Sequence, residues 1–174
     1  MRRVIYSVAM SLDGYVAGPN GEADWIVMDP DFDFPKFMAR FDAVLMGRKT
    51  FEMSQKQYGG DGSMPGMTAY VVSRMLRQQD HAGVTIIAGK LKETVNALRK
   101  APGKEIWLFG GGELFRSMLD QRLVDAIEVA VVPVLLGGGI PLLPPPADRA
   151  KLKLVDHIAS ETGNVRLTYS VCER

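Results

Sequence analysis

The chain has 174 residues, 47% of them apolar, and its 21 Lys and Arg against 20 Asp and Glu leave a net charge of +1. This length is typical of one domain with a large single core, so we expect residues 1–174 to fold as one unit. The near-neutral charge offers no basic surface for nucleic acid. A single cysteine, Cys172, and two histidines exclude an internal disulfide and argue against a metal site.

The lengths of the apolar runs predict the cellular compartment of the protein. The run that follows Arg3 ends at Ser7, which is too short for the core of an export signal. The longest run, at 129–136, spans eight residues and contains Pro133, whereas a membrane helix needs about 20. We therefore expect a cytoplasmic protein whose partners include neither membranes nor nucleic acid.

Short apolar strands alternate with helical stripes along the chain. Residues 4–10 form a nearly continuous apolar run, which is typical of a strand covered on both faces. A long loop rich in Gly, Asp and Pro follows, from Ser11 to about Pro30. A short helix is predicted next, because four apolar side chains share one face: Phe34, Phe37, Met38 and Phe41. The same patterns predict strands at 43–46, 68–72, 84–87, 106–109 and 126–132, and helices that begin within 47–52, at Leu91 and after Gly112.

The last two segments predict a hairpin and complete the fold class. Apolar and polar residues alternate at 151–158 and 165–171, on either side of a turn at 160–164, as in two antiparallel strands. Strands that alternate with helices predict an α/β fold, a mostly parallel, doubly wound sheet of about eight strands with helices on both faces. Such sheets bind ligands at the carboxyl ends of their strands, so the residues that directly follow strands are the candidates for chemistry.

Three consecutive glycines, Gly110, Gly111 and Gly112, stand between a predicted strand and a predicted helix. Without side chains there, backbone N–H groups at the positive end of the helix can approach a phosphate. The segment is not the dinucleotide fingerprint, because Phe115 occupies the third glycine position, and it lacks the lysine of a P-loop. A tight turn with close packing of strand on helix explains the glycines equally well.

Basic and hydroxyl residues follow two other strands, with Gly47, Arg48, Lys49 and Thr50 after the strand at 43–46, and Ser73 and Arg74 after the strand at 68–72. Cations at the start of a helix are unfavourable by about 0.3–1 kcal/mol, so Arg48 and Lys49 point to an anion that offsets the repulsion. Taken singly, each basic residue is typical of a solvated surface charge. Together they suit a dinucleotide with an extra phosphate on the ribose, held by Arg48, Ser73 and Arg74.

Five motifs stand in a characteristic order: Ser-Leu-Asp-Gly at 11–14, Met-Gly-Arg-Lys-Thr-Phe-Glu at 46–52, Val-Ser-Arg at 72–74, Phe-Gly-Gly-Gly-Glu-Leu-Phe at 109–115 and Pro-Val-Leu-Leu-Gly-Gly-Gly-Ile-Pro at 133–141. In this order and spacing they resemble the dihydrofolate reductase-like superfamily. The branch they resemble most is the reductase domain of bacterial riboflavin biosynthesis with its single-domain relatives. The resemblance covers essentially the whole chain.

The resemblance implies NADPH as the cofactor and assigns roles to its motifs. Backbone groups of Val8 and Ala9 would meet the nicotinamide carboxamide, and Asp13, Gly14 and Gly18 belong to the loop that closes over that ring. The phosphates and the adenosine end would be held by Gly47, Arg48, Lys49, Thr50, Ser73 and Arg74, and the pyrophosphate by Gly110, Gly111, Gly112, Glu113 and Leu114. The resemblance also implies a cis peptide bond at Gly110–Gly111. Enzymes of the family commonly carry Arg where this chain has Glu113, which leaves Arg48 and Arg74 to secure the phosphate.

The proton donor is sought among the carboxylates before the first helix. Reduction of a C=N bond needs a hydride on carbon and a proton on nitrogen. Dihydrofolate reductases use a carboxylate four residues before a Phe that packs on the substrate. Asp33 stands four residues before Phe37, with Asp31 and Asp29 as competitors, and Asp33 could equally serve only as the N-cap of the helix. Trp25 matches a Trp that resembling enzymes place near the active site, or it anchors the loop through its area.

The sequence therefore predicts an NADPH-dependent oxidoreductase that acts on a small heterocyclic substrate. A pteridine or an aminopyrimidine of the kind used in riboflavin biosynthesis is the expected class. A catalytically silent nucleotide-binding or assembly module on the same fold is the alternative. We also expect a homodimer, in which the segment at 129–136 and the terminal hairpin pair across a two-fold axis.

Overall fold

Strands form the larger part of the regular structure. The computed structural model describes residues 1–62 and 64–172, those at 57 and 58 by their backbone alone. Its strands are β1 (Val4–Ser11), β2 (Tyr15–Ala17), β3 (Phe41–Gly47), β4 (Thr68–Val72), β5 (Thr85–Ile87), β6 (Glu105–Gly110), β7 (Ala126–Val132), β8 (Ile140–Pro141), β9 (Leu152–Ala159) and β10 (Val165–Val171). Its α-helices are α1 (Phe34–Met38), α2 (Arg48–Tyr58), α3 (Leu91–Lys100) and α4 (Gly112–Asp120).

Eight of these strands form one sheet in the order β5-β4-β3-β6-β1-β7-β10-β9, and β2 pairs with β8 in a separate small sheet. All neighbours from β5 to β7 run parallel, whereas β10 is antiparallel to both β7 and β9. Parallel neighbours need long crossover connections, while the β9–β10 hairpin needs only its short turn. The predicted mostly parallel sheet with a terminal antiparallel hairpin is confirmed.

Helices cover both faces of the sheet, as predicted. On one face, α3 and α4 bury Val95 and Phe115 against the strands, and the Phe115 ring stacks on Tyr6 with 3.9 Å between ring centroids. On the other face, Phe37 of α1 and Phe51 of α2 pack into a second core. The carboxyl ends of the parallel strands emerge between these two layers, where the candidate residues were sought.

Two details differ from the sequence prediction. The first helix ends at Met38, and Phe41 begins β3 instead of completing a helical stripe. Phe41 is buried there and stacks on Trp107 with 5.9 Å between ring centroids. The long loop after β1 also contains β2, which pairs with β8. Strands of two or three residues are too short for the alternation by which a strand is recognised in sequence.

Two features are absent from residues 1–62 and 64–172. No helix there has the length and apolar character needed to cross a membrane. In the same part of the chain, no group of three His, Cys, Asp or Glu side chains is arranged to hold a metal ion.

Candidate active site

Loops that follow neighbouring strands meet at one edge of the sheet. The register pairs Gly47 of β3 with Val72 of β4 and Met46 with Gly110 of β6. A Cβ added to Gly47 would lie 3.8 Å from both the Gly110 carbonyl oxygen and the Gly111 nitrogen. Two of the motifs are therefore adjacent, with space for about one methyl group between them, and the Ser73 motif follows β4 on the other side of β3.

Two helices begin at this edge without a side-chain cap. Gly47 is the N-cap of α2 and Gly111 the N-cap of α4, and neither offers a side chain to the first-turn N–H groups. Uncapped N–H groups at a helix start, together with the helix dipole, favour an anion. The Gly110–Gly111 peptide bond is cis, as the sequence resemblance implies. A Cβ on Gly111 would lie 3.3 Å from Thr50 Oγ1, so the cradle leaves little room for a side chain.

The basic residues around this cradle differ in how they are paired. Arg48 donates to both oxygens of the Glu52 carboxylate, at 2.8 and 2.9 Å. Ser73 is buried, and its hydroxyl oxygen accepts hydrogen bonds from two backbone N–H groups of the following turn, each at 3.1 Å. Lys49 and Arg74 are exposed, and no ion pair of Arg74 is found within the described residues. Arg74 is therefore the guanidinium most available for a phosphate.

The other predicted cradle residues have distinct surroundings. Gly112 is buried, and a Cβ there would lie 2.9 Å from the Pro141 carbonyl oxygen, so this glycine serves close packing of α4 on the loop at 141–144. Leu114 is also buried and belongs to the core on the α4 face. Glu113 is exposed in the first turn of α4, where a carboxylate is favourable to the helix dipole. Of the three glycines, Gly110 and Gly111 are the ones that border the cradle.

A gap opens between β1 and β6 next to this cradle. The two strands pair only from Val4 to Tyr6, although β1 continues its pairing with β7 as far as Ser11. Beyond Tyr6 the Ser7 carbonyl, which faces β6, accepts a hydrogen bond from the indole Nε1 of Trp107 at 3.1 Å. Because peptide groups along a strand alternate between its two neighbours, the N–H and C=O of Ala9 also face the gap. Val8 directs its peptide groups to β7, so of the two predicted residues Ala9 presents its backbone to the gap.

The loop after β1 is tied to the segment after β7 by Asp13. Its carboxylate accepts hydrogen bonds from the Ser11 hydroxyl at 2.6 Å and from the N–H groups of Leu136 and Gly137 at 3.1 and 2.8 Å. These bonds lower the pKa of Asp13, with the Ser11 bond the largest cause. Asp13 therefore holds the loop after β1 in place beside the gap.

Gly14 and Gly18 stand at the two ends of β2. The Gly14 carbonyl accepts a hydrogen bond from Leu142 N–H, and Gly18 N–H donates to the Glu22 carbonyl at 2.8 Å. A Cβ on Gly18 would overlap the Glu22 carboxylate, so a substitution there would displace the Glu22 side chain. Trp25 is half-buried, and its Nε1 donates to the same Glu22 carbonyl at 3.2 Å. These residues shape the loop, and their contact with a bound ring stays a prediction.

The carboxylates before α1 are mostly committed to their own backbone. Asp33 is exposed and accepts a hydrogen bond from Lys36 N–H at 2.9 Å, which is the N-cap arrangement. Asp29 is buried and accepts from Asp31 N–H at 3.0 Å, while Asp31 itself is exposed. Capping thus accounts for Asp33 in this structure, and the choice of proton donor among the three stays a prediction.

Phe37 belongs to an aromatic layer on the same face of the sheet. Its ring meets Trp107 edge-on with 5.3 Å between centroids, and Phe32 lies 5.5 Å away on its other side. Trp107, which the Phe37 ring meets, also donates to the Ser7 carbonyl of β1, so the layer reaches the start of the gap. Phe37 is thus in the region predicted for a substrate.

An ion-pair network in this region was missed by the sequence analysis. Arg40 donates to Glu128 at 2.7 and 2.9 Å and to Glu105 at 2.9 and 3.1 Å, beneath the rings of Phe37 and Phe41. The Glu128 bonds are the largest cause of a raised pKa for Arg40. A charged residue inside the apolar strand at 126–132 is the signal by which Glu128 could have been found.

Comparison with known proteins defines the class and then the family. The dihydrofolate reductase from Enterococcus faecalis, solved with NADP(H) and RAB-propyl, shares the fold at a TM-score of 0.72 and 17% identity, over 98% of this chain and 97% of that chain. A Shewanella sp. PV-4 protein provisionally assigned to riboflavin biosynthesis superposes at a TM-score of 0.82 with 27% identity, over 98% and 99% of the two chains. The fold is therefore that of the dihydrofolate reductase-like superfamily, as the motifs predicted.

The family model of the RibD C-terminal domain matches residues 2–165, and the chain belongs to that family. The uncharacterized protein YyaP of Bacillus subtilis strain 168 is 36% identical over 179 aligned residues, which cover 97% of this chain and 94% of YyaP. Family and fold together indicate a reductase-type fold of the kind found in the riboflavin pathway.

Proposed function

We propose that the protein is an NADPH-dependent reductase of a small heterocycle, a pteridine or an aminopyrimidine. One observation carries the proposal. The Gly47 and Gly110–Gly111 loops touch at the starts of two uncapped helices, directly beside the gap where β1 and β6 separate. An anion cradle next to a slot between strands suits a dinucleotide whose pyrophosphate and ring bind a short distance apart.

The residues present fit this cofactor. First-turn N–H groups of α2 and α4 would hold its pyrophosphate, and the Ala9 peptide would hydrogen-bond the carboxamide of its ring. Arg74 would meet the ribose 2′-phosphate, since Arg48 is already neutralised by Glu52. When bound, NADPH supplies the hydride that reduces a C=N carbon.

The chain itself must manage the proton that the substrate nitrogen takes up. Asp33 and Asp31 precede α1 and are both exposed to solvent. Asp33 holds its position through the Lys36 N–H, and the proton would pass to the substrate nitrogen from this carboxyl through a bound water. We propose Asp33 as the donor, with Asp31 as its competitor.

Thermal unfolding in the presence of nucleotides tests the cofactor assignment. NADPH at 100 times its dissociation constant stabilises a folded protein by about 2.7 kcal/mol, which raises the melting temperature by several degrees. We expect this shift with NADPH and a smaller one with NADH at the same concentration. The absence of a shift with either nucleotide contradicts the proposal.

A catalytically silent nucleotide-binding module is the second candidate, and the capping role of Asp33 favours it. Asn caps a helix about as well as Asp, so Asp33→Asn should leave the fold and the NADPH affinity unchanged. A reductase that uses Asp33 loses turnover of dihydropterin in this variant, with NADPH consumption as the readout. A wild-type protein that binds NADPH and consumes none with pterin or pyrimidine substrates supports the silent module.

We propose a homodimer formed through the terminal hairpin. All eight residues of β9 are exposed, among them Leu154 at 48%, Val155 at 62% and Ile158 at 45%. An apolar cleft of about 560 Å³ reaches the start of β9 and is lined in part by Phe115, Leu152 and Leu167. An apolar strand of this kind at a sheet edge is normally covered, and a second copy brings the same apolar surface. Of the segment at 129–136, the ladder residues Val129 and Val132 are buried and so belong to the core of one chain.

A further inference from the structure

Arg166 is a half-buried cation with an unsatisfied donor. Its Nε is shielded from solvent, and no group in the described part of the chain accepts a hydrogen bond from it. The guanidinium carbon lies 5.1 Å from the centroid of the Phe32 ring, and no carboxylate of residues 1–62 or 64–172 comes within 4.0 Å of the guanidinium. Buried donors are nearly always satisfied, so the partner of Arg166 is to be sought outside the protein.

The strand register places Arg166 in line with Ala9. Ala9 of β1 pairs with Ala130 of β7, and Ala130 pairs with Arg166 of β10. Residues paired across strands project from the same face of a sheet, and two strand spacings put Arg166 roughly 10 Å from Ala9. Both alanines are partly exposed despite their small size. They form a floor of two small side chains between the gap at β6 and the guanidinium at β10.

The aromatic layer crosses this floor from one side to the other. Phe37 contacts Trp107 on β6, and Phe32, which packs on Phe37, contacts Arg166 on β10. The layer therefore spans β1 and β7, which carry the two alanines. A flat ring bound between layer and floor would have the Ala9 peptide at one edge and Arg166 at the other.

The remaining charges around the floor are compensated or point to solvent. Glu128, two residues before Ala130 on β7 and on the same face, is neutralised by Arg40. Asp31 and Asp33 flank Phe32 in sequence, but both are exposed and neither pairs with the guanidinium. Arg166 is thus the charge that the floor presents to a ligand.

We infer that Arg166 recognises an oxyanion group, a carboxylate or a phosphate, on the heterocycle that the enzyme reduces. The inference rests on the proposed function, because it takes the Ala9 edge as the place of the nicotinamide ring. A guanidinium binds either group through paired charge-assisted hydrogen bonds, and its fixed position over Phe32 keeps it ready for them. Arg166 would therefore select heterocycles that carry an anionic group over those that carry a neutral group in its place.

Three pterins that differ only in the substituent at position 6 test this inference. They carry a carboxylate, a phosphorylated hydroxymethyl group or a neutral hydroxymethyl group, and their fluorescence reports binding to protein saturated with NADP⁺. We expect the wild-type protein to bind at least one anionic pterin about tenfold or more tightly than the neutral one. The anionic pterin that binds more tightly shows whether Arg166 prefers a carboxylate or a phosphate.

Substitutions at Arg166 decide whether it is responsible. Arg166→Met keeps most of the aliphatic stem, and the variant should bind anionic and neutral pterins about equally well. Arg166→Lys should retain part of the preference for anionic pterins. Lys153→Met removes a positive charge from the same hairpin, at an exposed position, and should leave the preference intact. Melting temperatures confirm that each variant folds.

The inference is overturned if the wild-type protein binds no pterin, if it binds the neutral pterin equally well, or if Arg166→Met keeps the anionic preference. Saturation with NADP⁺ is measured first on the same samples. Failure at that first step counts against the proposed function, whereas NADP⁺ binding without an Arg166-dependent preference counts against the role of Arg166 alone.

Discussion

Asp13 and Gly137 join the loops that leave two neighbouring strands, with the Asp13 carboxylate accepting the Gly137 N–H at 2.8 Å. The second oxygen of the same carboxylate accepts from Ser11 and Leu136. A single side chain thus holds the loop beside the β1–β6 gap against the segment after β7.

This arrangement predicts a pH-dependent link. The folded-state pKa of Asp13 lies below its ordinary value of 3.8, so its contribution to stability is present above that value and lost as pH falls through the lower pKa. Asp13→Asn should expose the Leu136 and Gly137 amides to faster hydrogen exchange at neutral pH. The difference in exchange between variant and wild type should vanish in strong acid. Equal protection of both amides at pH 7 would show that the carboxylate is not what holds them.

Gly47→Ala should impair nucleotide binding without harming the fold. The added methyl meets only ordinary contacts at 3.8–3.9 Å, and the backbone of Gly47 has φ −80°, so stability should change by no more than about 0.5 kcal/mol. The methyl stands over Gly110 and Gly111, where a phosphate would approach their amides. We expect NADPH affinity to fall about tenfold or more, measured by nicotinamide fluorescence. Gly89→Ala, which meets no atom within 4 Å, is the control, and an equal effect of both variants contradicts the cradle.

Arg74→Ala should separate the two nicotinamide cofactors. Charge-assisted hydrogen bonds to a phosphate contribute about 1.5–3 kcal/mol, so the affinity for NADPH should fall about tenfold or more while that for NADH barely changes. Arg48→Ala should have the smaller effect, because the Arg48 charge is already paired with Glu52. Titration of each variant with both nucleotides provides the measurement. Equal losses of affinity for NADPH and NADH in Arg74→Ala would show that Arg74 does not bind the 2′-phosphate.

Arg40→Met should destabilise the fold more than loss of an exposed ion pair does. The substitution leaves Glu128, whose side chain is 18% exposed, without the Arg40 charge, while Glu105, at 25% exposure, keeps the Arg3 guanidinium at 3.5 Å. Partial solvent screening limits the cost to about 1–3 kcal/mol of unfolding free energy, measured by urea denaturation. Arg77→Met, whose side chain is 73% exposed, should cost less than about 1 kcal/mol. Similar costs for both variants would show that Arg40 adds no more than a surface pair.

Val155→Asp should dissociate the proposed dimer. The substitution places a carboxylate on the exposed apolar strand β9, where a second copy would have to bury it. Light scattering should show a dimer for the wild type and a monomer for the variant. Met75→Asp, at an equally exposed site away from the hairpin, should leave the mass unchanged. A monomeric wild type rules out the interface at once.

The sequence was sufficient for the features that depend on short stretches of chain. The buried strands, the helix that begins at Leu91 and the glycines at 110–112 all follow from local patterns, because burial and helix starts leave a signature within a few residues. The motif order also predicted the cis bond at Gly110–Gly111, which the structure contains. The loops at Gly47 and Gly110 meet as expected, because the strands before them are neighbours in a parallel sheet.

Features that depend on strand register could not be predicted from the sequence. Arg40 and Glu128 are 88 positions apart, and no local pattern tells which strand each one faces. The alignment of Arg166 with Ala9 requires two successive strand pairings to be known to the residue, since a shift by one turns every side chain to the other face. β2 and β8 were missed for a related reason, because each is defined by its partner and not by its own composition.

The early end of the ladder between β1 and β6 divides one strand into two parts with different sensitivities. Up to Tyr6, β1 is paired with strands on both sides, so substitutions there should lower the melting temperature and leave ligand affinity unchanged. From Ser7 onward β1 pairs with β7 but no longer with β6, and substitutions there should reduce ligand affinity and leave the melting temperature unchanged. A mutational scan along these eight residues would thus locate the border between scaffold and binding surface within a single strand.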